Sequence, residues 1–318
     1  MLNKLIDSLR EFIIVIITSY KESFFRRNGM ELILGTVQFG TDYGITNKQG
    51  KTPIEEVKNI LSLFVDKDGS AIDTAPSYGN AESILGGIGV ENFDLITKTQ
   101  HFTKDIIDEQ DIAFLYETVE SSLKALNVKK LKAILIHNVN DCYKSGIDKV
   151  FNALLHLKKL GTVEQIGASI YEVRDIEQIV KLNFPIDVIQ IPMNVLNQSV
   201  VNSGWLSKLK ERDVEIHARS IFLQGLLLAD IDSLNSEQKE ALECYFNELQ
   251  IHNLSKLEGA LLYINQIEEI DKVLIGVNNS QHLNSILEAK YKIQKIEHII
   301  DFKKFAINNK KIIDPRRW

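Results

Sequence analysis

The sequence contains few cysteines, and the two that it has lie far apart. Cys142 and Cys244 are separated by roughly a hundred residues, and neither belongs to a C-x-x-C pair. A disulfide framework and a zinc ribbon both need closely spaced cysteines, so neither is indicated, and no metal site is expected. A protein of this composition is suited to a reducing compartment, so we expect a cytoplasmic location.

The sequence also lacks an excess of positive charge. It has 37 Lys and Arg residues against 43 Asp and Glu residues, which gives a formal net charge of −6, and no basic stripe is present. Nucleic-acid binding depends largely on basic residues that neutralise phosphates, so nucleic acid is not an expected partner. No G-x-G-x-x-G loop follows a strand-like run, which argues against a Rossmann dinucleotide site.

No hydrophobic run in the N-terminal segment is long enough to span a bilayer. The run from Phe12 to Ile17 is too short. The residues after it, Tyr20, Lys21 and Glu22, do not form the small-residue cleavage site of a signal peptide. Residues 1–29 therefore form a separate extension for which three alternatives stay open: an amphipathic helix at a membrane surface, a helix packed outside the fold, or translated sequence upstream of Met30. Membrane contact is not favoured.

From Glu31 onward, short β-branched or aliphatic runs alternate with longer helical patterns. Such alternation is typical of a parallel sheet with helices between its strands. In the intervening segments, apolar residues recur at spacings of three and four, as in Ile54, Val57, Ile60 and Leu61. The predicted strands are residues 31–39, 70–75, 93–99, 132–138, 163–169, 187–194, 215–221 and 272–277.

Eight such alternations favour an α/β fold of the (β/α)8 TIM barrel type, because closure leaves no strand edge unpaired. No Ser/Gly-rich linker interrupts residues 31–290, so we predict one domain over residues 30–318 with the short extension before it. The polar segment from Leu228 to Leu257 should contain an extra helix. The tail from Tyr291 to Trp318 should form a helix and an irregular end that could fold back over the active face.

Four polar residues lie at or just after the C-terminal ends of three successive predicted strands. They are Asp73 and Tyr78 in AIDTAPSYG, Lys98 in DLITKT and His137 in AILIHN. Taken singly, each has an ordinary structural interpretation, such as a turn residue, a half-buried aromatic, a solvated charge or a structural histidine. In a (β/α)8 barrel these strand ends form the active face, so the shared position predicts one site.

The ordered motifs LGTVQFG, DTAPSYGNAESILG, ITKTQ, LIHN, IGAS, IQIPMN, ARSIFLQGLL and LIGVNNSQHL resemble those of the aldo-keto reductase family over about residues 31–290. The resemblance implies an NAD(P)H-dependent enzyme that reduces an aldehyde or ketone, and it maps the family's catalytic tetrad onto Asp73, Tyr78, Lys98 and His137. Glu82, in the predicted short helix after the tyrosine, stays outside the catalytic set.

The residue types suit these roles independently of the resemblance. Hydride reduction of a carbonyl needs a proton at the oxygen, and a phenol with a pKa of about 10 needs help from its surroundings. We expect the Lys98 ammonium to lower the pKa of Tyr78, the general acid, while Asp73 holds the lysine in place. His137 is expected to hydrogen-bond the carbonyl oxygen and orient the substrate.

The resemblance also implies cofactor contacts at the strand ends, with some departures. Ser169 is followed by Ile170 where the family commonly has Asn, Met193 occupies an aromatic position, and Ile286 replaces an adenine-contacting asparagine. The predicted cofactor-binding residues are Gly35, Thr36, Ser169, Gln190, Arg219, Ser220, Gln224, Gly225, Gly276, Asn278, Asn279 and His282. The loop after the last strand lacks the Lys or Arg that would hold a 2′-phosphate, so NADPH is the first choice from resemblance and NADH stays open.

The expected partner is a small-molecule carbonyl substrate, and the oligomeric state is not predicted. The opening LGTVQFGTDYGI resembles a bacterial branch associated with sugar and polysaccharide biosynthesis, which implies a sugar-like substrate. The predicted substrate contacts are Gln38, Phe39, Tyr43 and Asn138. The alternative function is a regulatory or structural subunit that binds a nicotinamide nucleotide without useful turnover.

Overall fold

The computed structural model describes residues 30–44, 47, 50–296 and 300–318. The extension predicted for residues 1–29, and any membrane contact through it, lies outside the described residues. None of the helices in the described part of the chain combines the length and the apolar character needed to cross a membrane.

Eight parallel strands form a closed barrel in which each strand pairs with the next and the eighth pairs with the first. The eight predicted strands and the (β/α)8 fold are confirmed. The strands are β1 (Glu31–Gly35), β2 (Ala71–Asp73), β3 (Asp94–Lys98), β4 (Leu131–Ile136), β5 (Val163–Ser169), β6 (Val188–Pro192), β7 (Glu215–Arg219) and β8 (Lys272–Gly276).

The first strand ends earlier than the sequence predicts. Thr36 donates hydrogen bonds from its backbone N–H and its hydroxyl to the carbonyl oxygen of Asp73, at 3.1 and 2.9 Å, and the chain then turns. The prediction of a strand up to residue 39 is therefore wrong beyond Gly35, because residues 37–40 form a short helix.

Helices follow the strands around the outside of the barrel. Within the described residues they are α1 (Val37–Gly40), α2 (Ile54–Asp66), α3 (Ala81–Ile88), α4 (Glu109–Leu126), α5 (Ile147–Lys159), α6 (Val173–Lys181), α7 (Ser199–Asn202), α8 (Trp205–Lys210), α9 (Ser236–Ile251), α10 (Lys256–Asn265), α11 (Ser280–Ile293) and α12 (Lys310–Ile313). Helix α9 is the extra helix predicted within the polar segment.

Local capping explains where several helices begin. Asp108 accepts hydrogen bonds from the N–H groups of Gln110 and Asp111 at the start of α4, and Asn235 and Ser255 form capping boxes at α9 and α10. Such caps satisfy N–H groups that have no partner inside the helix. Helix α9 begins at Ser236, and the capping residue is the asparagine before it.

The hydrophobic core has two layers because successive strand residues point to opposite faces. Inside the barrel, Ile33, Ala71, Ile96, Leu135 and Val188 belong to one buried cluster. A larger cluster fills the space between the strands and the surrounding helices. The inner cluster fills the barrel interior, so the polar strand ends lie above a packed core and not along an open pore.

The C-terminal tail returns to the active face, as predicted. Gln198, after β6, donates a 2.7 Å hydrogen bond to the carbonyl oxygen of Phe302, and the N–H of Ile307 donates to Leu196 at 2.9 Å. Farther on, Lys310 forms a 3.2 Å ion pair with Glu172, which follows β5. The tail is thus attached beside the carboxyl ends of β5 and β6.

Candidate active site

A buried ion pair joins the ends of β2 and β3. The Nζ of Lys98 lies 2.6 Å from Oδ1 of Asp73 and also donates to the carbonyl oxygen of Thr74 at 2.8 Å. The second carboxylate oxygen, Oδ2, accepts a 2.7 Å hydrogen bond from Nε2 of Gln190 on β6. A buried charge needs partners of this kind, and here both carboxylate oxygens have one. The ammonium is therefore held in one position.

Tyr78 lies on a tight turn directly above this ion pair. Its backbone N–H donates to Ala75, and the next residue, Gly79, has a φ of +59°, a conformation that glycine adopts without strain. The Nζ of Lys98 lies 4.9 Å from the centre of the Tyr78 ring. The turn thus places the phenol beside a fixed positive charge, at the end of β2, as the sequence predicts for Tyr78 and Lys98.

Burial and the Lys98 ammonium act in opposite directions on the pKa of Tyr78. Burial raises the pKa of Tyr78 above its usual value, and this effect outweighs the Lys98 ammonium, which lowers it. Burial alone would lower the pKa of Lys98, but Asp73 and Tyr78 outweigh that effect and raise it. The predicted effect of Lys98 is therefore present, but burial outweighs it and the net shift is upward. Both groups are protonated at neutral pH, so Tyr78 holds a proton that it can donate.

His137 lies beside the phenol at the end of β4. Its ring meets that of Tyr78 edge to face, with the ring centres 5.8 Å apart, and its Nδ1 lies 3.3 Å from Oγ of Ser77. Burial first, and then the charges of Lys98, His101 and Arg219, lower the pKa of His137 to about 2. The imidazole is therefore neutral across the physiological range, where it can hydrogen-bond a carbonyl oxygen without carrying charge.

These side chains line one end of an elongated pocket of about 590 Å³ on the carboxyl face of the barrel. The pocket runs from the ion pair to the first turns of α11. All four residues of the predicted tetrad line it. The other predicted residues that line it are Gly35, Thr36, Gln38, Tyr43, Ser169, Gln190, Arg219, Ser220, Gln224, Gly225, Gly276, Asn278 and His282.

Three predicted contacts lie outside the pocket lining. Phe39 is 0% exposed and packs in the core, so its predicted contact with substrate is wrong. Asn138 caps the turn of residues 139–143 by accepting a 3.2 Å hydrogen bond from the N–H of Asn140. Asn279 caps α11 by accepting from the N–H of His282 at 2.8 Å. Both asparagines cap the start of the helical segment that follows them, which is a common role for asparagine before a helix.

The structure also brings residues to the pocket that the sequence did not single out. Tyr171, just after β5, lines it, with the guanidinium carbon of Arg219 4.4 Å from the ring centre and that of Arg316 3.7 Å from it. The position of Tyr171 directly beyond a strand end was the available signal. Glu82, by contrast, is buried outside the pocket, where it accepts hydrogen bonds from Thr97 at 2.6 Å and Ser122 at 3.0 Å.

The segment after β7 has an unusual backbone. Ser220, Leu223 and Gln224 have φ values of +57°, +48° and +52°, and Gly225 follows at +96°. Left-handed conformations cost about 1 kcal/mol or more for a residue other than glycine. Three of these four residues line the pocket, so the strained segment forms part of its wall.

The pocket fits a nicotinamide dinucleotide. At the end with the Asp73–Lys98 ion pair, Oε1 of Gln190 and Oε1 of Gln38 are buried and have no hydrogen-bond partner among the described residues, so each can accept from an amide N–H of a bound group. A Cβ at Gly276 would lie 2.8 Å from Nε2 of Gln38, which shows how closely the wall is packed. At the other end, the N-terminus of α11 favours a phosphate. Among the described residues, no three His, Cys, Asp or Glu side chains cluster to hold a metal ion.

Comparison with known proteins agrees with this arrangement. The model of the aldo/keto reductase family matches residues 31–301. An uncharacterised oxidoreductase of Schizosaccharomyces pombe is 28% identical over 198 residues, which cover 60% of this chain and 68% of that protein.

Solved structures show the same fold. The holo form of an aldo-keto reductase from Bacillus halodurans aligns with a TM-score of 0.69 and 18% identity over 91% of this chain and 96% of that chain. A putative aldo-keto reductase from Pseudomonas aeruginosa aligns with a TM-score of 0.62 and 20% identity over 84% and 92%. The chain belongs to the aldo/keto reductase family and is an oxidoreductase.

Proposed function

We propose that this protein reduces the carbonyl group of a small aldehyde or ketone with NAD(P)H, and that Tyr78 is the general acid. The observation that carries the proposal is the meeting of Tyr78, Lys98 and His137 at one end of a pocket that suits a dinucleotide. Three groups that can donate a proton or a hydrogen bond converge there, as protonation of a developing alkoxide requires.

Each side chain has a separate part in the proposed reaction. A reduced nicotinamide held by Gln190 and Gln38 would supply the hydride to the carbonyl carbon. Tyr78 transfers its phenolic proton to the carbonyl oxygen, and the Lys98 ammonium stabilises the phenolate that remains. Asp73 and Gln190 hold the lysine through the two carboxylate oxygens. The neutral imidazole of His137 hydrogen-bonds the carbonyl oxygen and fixes its direction.

The polar wall of the pocket supports a hydroxylated, sugar-like substrate. The hydroxyl of Tyr43 accepts a 3.0 Å hydrogen bond from Nε2 of Gln224, and Gln38 lies nearby on the same wall. Phenol and amide groups can exchange such bonds for bonds to sugar hydroxyls. We retain NADPH as the first cofactor to test and NADH as the alternative.

Turnover measurements with a matched pair of tyrosine variants test the proposal. Purified protein is mixed with NADPH or NADH and a panel of aldehydes, and cofactor binding is followed by fluorescence titration. Tyr78→Phe should lower kcat by about a hundredfold or more, the usual contribution of a general acid, while the cofactor still binds. Tyr143→Phe removes a hydroxyl that bonds Asp175 away from the pocket and should keep full activity. Unchanged turnover in Tyr78→Phe would exclude this mechanism.

The same experiment addresses the alternative of a nucleotide-binding subunit without turnover. The feature that favours it is Met193, which occupies a position where an aromatic is usual and whose side chain is buried outside the pocket lining. Tight cofactor binding with no turnover of any aldehyde would support the alternative.

A further inference from the structure

A second cavity, of about 230 Å³, adjoins the catalytic pocket and is enclosed on its far side by the C-terminal tail. We name it the tail cavity. Tyr43, Tyr171, Arg219, Ser220 and Gln224 line both spaces, so the two cavities share one wall. The residues that line the tail cavity alone include Lys310, Ile313, Asp314, Pro315 and Arg316 from the tail and Glu172 from the start of α6.

The charged side chains that line the tail cavity carry a net positive charge. Its lining contains three cations and two carboxylates. Arg316 pairs with Asp314 through hydrogen bonds of 2.8 and 2.7 Å, and Lys310 pairs with Glu172 at 3.2 Å. The third cation, Arg219, has no carboxylate partner in the part of the chain that the structure describes. One positive charge is therefore in excess, and it lies on the shared wall.

The surroundings of Arg219 suit an anionic ligand. Its guanidinium donates to the carbonyl oxygen of Ile170 at 2.7 Å and to Oγ of Ser220 at 3.3 Å. Its Nε is shielded from solvent and has no hydrogen-bond partner among the residues that the structure describes. A shielded donor on a charged group is costly to leave unpaired. A ligand that approaches with a carboxylate or phosphate would compensate the charge.

Tyr171 fixes the positions of two of the cations. Arg219 and Arg316 both stack on its ring, with guanidinium carbons 4.4 and 3.7 Å from the ring centre. Stacking on an aromatic ring restricts a guanidinium, and its planar fork of donors matches the oxygens of a carboxylate or phosphate. The cations are thus ordered before any ligand arrives, which lowers the entropy cost of binding.

We propose that the tail cavity binds an anionic group of the carbonyl substrate, a carboxylate or a phosphate, through Arg219, Arg316 and Lys310. The inference rests on the proposed reductase function and narrows the substrate class to aldehydes or ketones that carry an acidic group. The cavity has the volume of seven or eight water molecules at about 30 Å³ each, which accommodates such a group with a short carbon chain.

Paired substrates test the proposal and distinguish the two anions. The pairs are D-glyceraldehyde with D-glyceraldehyde 3-phosphate, and butanal with succinic semialdehyde. In the wild-type protein, kcat/KM should be about tenfold or more higher for the charged member of at least one pair, as expected for a charge-assisted contact. The ratio of kcat/KM for the charged over the neutral member is compared between the two pairs. A larger ratio in the glyceraldehyde pair indicates a preference for phosphate, and a larger ratio in the butanal pair indicates a preference for carboxylate.

Neighbouring residues in the tail provide matched controls. Arg316→Gln and Lys310→Gln should each reduce the charged-to-neutral ratio about tenfold, chiefly through KM. Arg317→Gln and Lys311→Gln remove the same charges one residue along the chain, outside the cavity lining, and should keep the wild-type ratio. If Arg316→Gln does not fold, Arg316→Lys is the alternative, because it keeps the positive charge but lacks the planar guanidinium. Its ratio of kcat/KM for charged over neutral substrates should lie between those of the wild type and a charge-neutral variant.

A binding measurement separates failure of this inference from failure of the proposed function. Inorganic phosphate or succinate should raise the Tm of the wild-type protein and of Arg317→Gln by more than it raises the Tm of Arg316→Gln. Turnover of neutral aldehydes with no preference for charged ones would overturn the inference and leave the reductase standing. If no aldehyde is reduced, the proposed function fails, and the Tm shift alone decides on the anion site. A different result is that Arg316→Gln weakens NADPH binding by the same factor as it lowers kcat/KM for charged substrates. That result would assign the cavity to the cofactor and overturn the inference.

Discussion

Gln190 donates a 2.7 Å hydrogen bond from Nε2 to Oδ2 of Asp73, the carboxylate oxygen that Lys98 does not contact. The other amide atom, Oε1, is buried in the pocket without a partner. One side chain therefore contacts the buried ion pair with its donor and leaves its acceptor for a bound group. A group bound at Oε1 would be connected through Gln190 and Asp73 to the position of Lys98.

Replacement of Gln190 by methionine tests this double role. Gln190→Met leaves Oδ2 of Asp73 buried without a partner, so the free energy of unfolding should fall by about 1–3 kcal/mol, measured by urea denaturation. The NADPH dissociation constant should also rise, by about tenfold, because an acceptor in the pocket is lost.

The control for this variant is another glutamine that bonds a carboxylate. Gln165 donates a 2.9 Å hydrogen bond to Glu215 and does not line the pocket. Gln165→Met should reduce stability without weakening NADPH binding. Equal dissociation constants for the wild type and Gln190→Met would show that Oε1 takes no part in binding.

The turn that carries Tyr78 depends on the absence of a side chain at Gly40. A Cβ there would lie 1.7 Å from the carbonyl oxygen of Tyr78 and 2.7 Å from the nitrogen of Ala81. Gly40→Ala must therefore displace the turn. We expect a loss of about 1–3 kcal/mol in the free energy of unfolding, and a fall in kcat of roughly tenfold or more because the phenol moves.

Gly87 in α3 is the matched control, because a Cβ there meets no atom within 4 Å. Gly87→Ala should keep kcat and should leave stability unchanged or raise it by about 0.5–1 kcal/mol, the usual gain within a helix. A Gly40→Ala protein with wild-type kcat would show that the turn can shift without moving the phenol.

The low pKa of His137 predicts how stability depends on pH. In the folded protein this pKa is lowered from 6.5 to about 2, first by burial and then by nearby positive charges. Below pH 6.5 the unfolded chain binds a proton here and the folded chain does not, so the free energy of unfolding falls as pH decreases toward 2. This one group contributes a slope of up to about 1.4 kcal/mol per pH unit.

Urea unfolding between pH 7.5 and 5 should show that slope in the wild type and a smaller one in His137→Asn. His156→Asn, which removes an exposed histidine on α5, should keep the wild-type slope. Proton titration of the folded protein by NMR provides a direct check. An imidazole at residue 137 that titrates near pH 6.5 would contradict the buried, neutral state.

Glu56 should influence the choice between NADPH and NADH. Its carboxylate accepts hydrogen bonds from the N–H of Ser280 at 2.6 Å and from its hydroxyl at 2.8 Å, at the N-terminus of α11. These bonds lower the pKa of Glu56, so it is ionised at neutral pH. A negative charge beside Asn278 and His282 should disfavour the extra phosphate of NADPH.

We therefore expect Glu56→Gln to shift the ratio of kcat/KM values for NADPH and NADH about fivefold toward NADPH, as for a contribution near 1 kcal/mol at a helix end. Glu55→Gln is the control, since the Glu55 side chain is 81% exposed and pairs with Lys58. Equal shifts in both variants would reflect overall charge and not the helix terminus.

Much of the fold was predictable because it follows from local patterns. Apolar runs and helical spacings repeat eight times along the sequence, and each unit can bury its apolar face only against its neighbours. Once the barrel is inferred, the polar residues at the strand ends must meet. The shared pocket of Asp73, Tyr78, Lys98 and His137 follows from that rule.

The site contains features that no local pattern encodes. Phe39 and Tyr43 are both aromatic and close in sequence, yet the first is buried in the core and the second lines both cavities. Asn138 and Asn279 are polar residues that follow strands, yet the side chain of each accepts a hydrogen bond from a backbone N–H group and does not line the pocket. Exposure depends on which distant elements pack against a residue, and the sequence around it does not specify them.

The barrel, the order of its strands and the residue types at its carboxyl face can all be inferred from the sequence. The balance of charge at that face depends on how the chain folds and cannot be inferred from the sequence. Burial outweighs the Lys98 ammonium at Tyr78, and Tyr171 lies against arginines from β7 and from the end of the chain. Desolvation and charge compensation depend on every group within a few ångströms, and in a closed barrel those groups come from segments far apart in the chain.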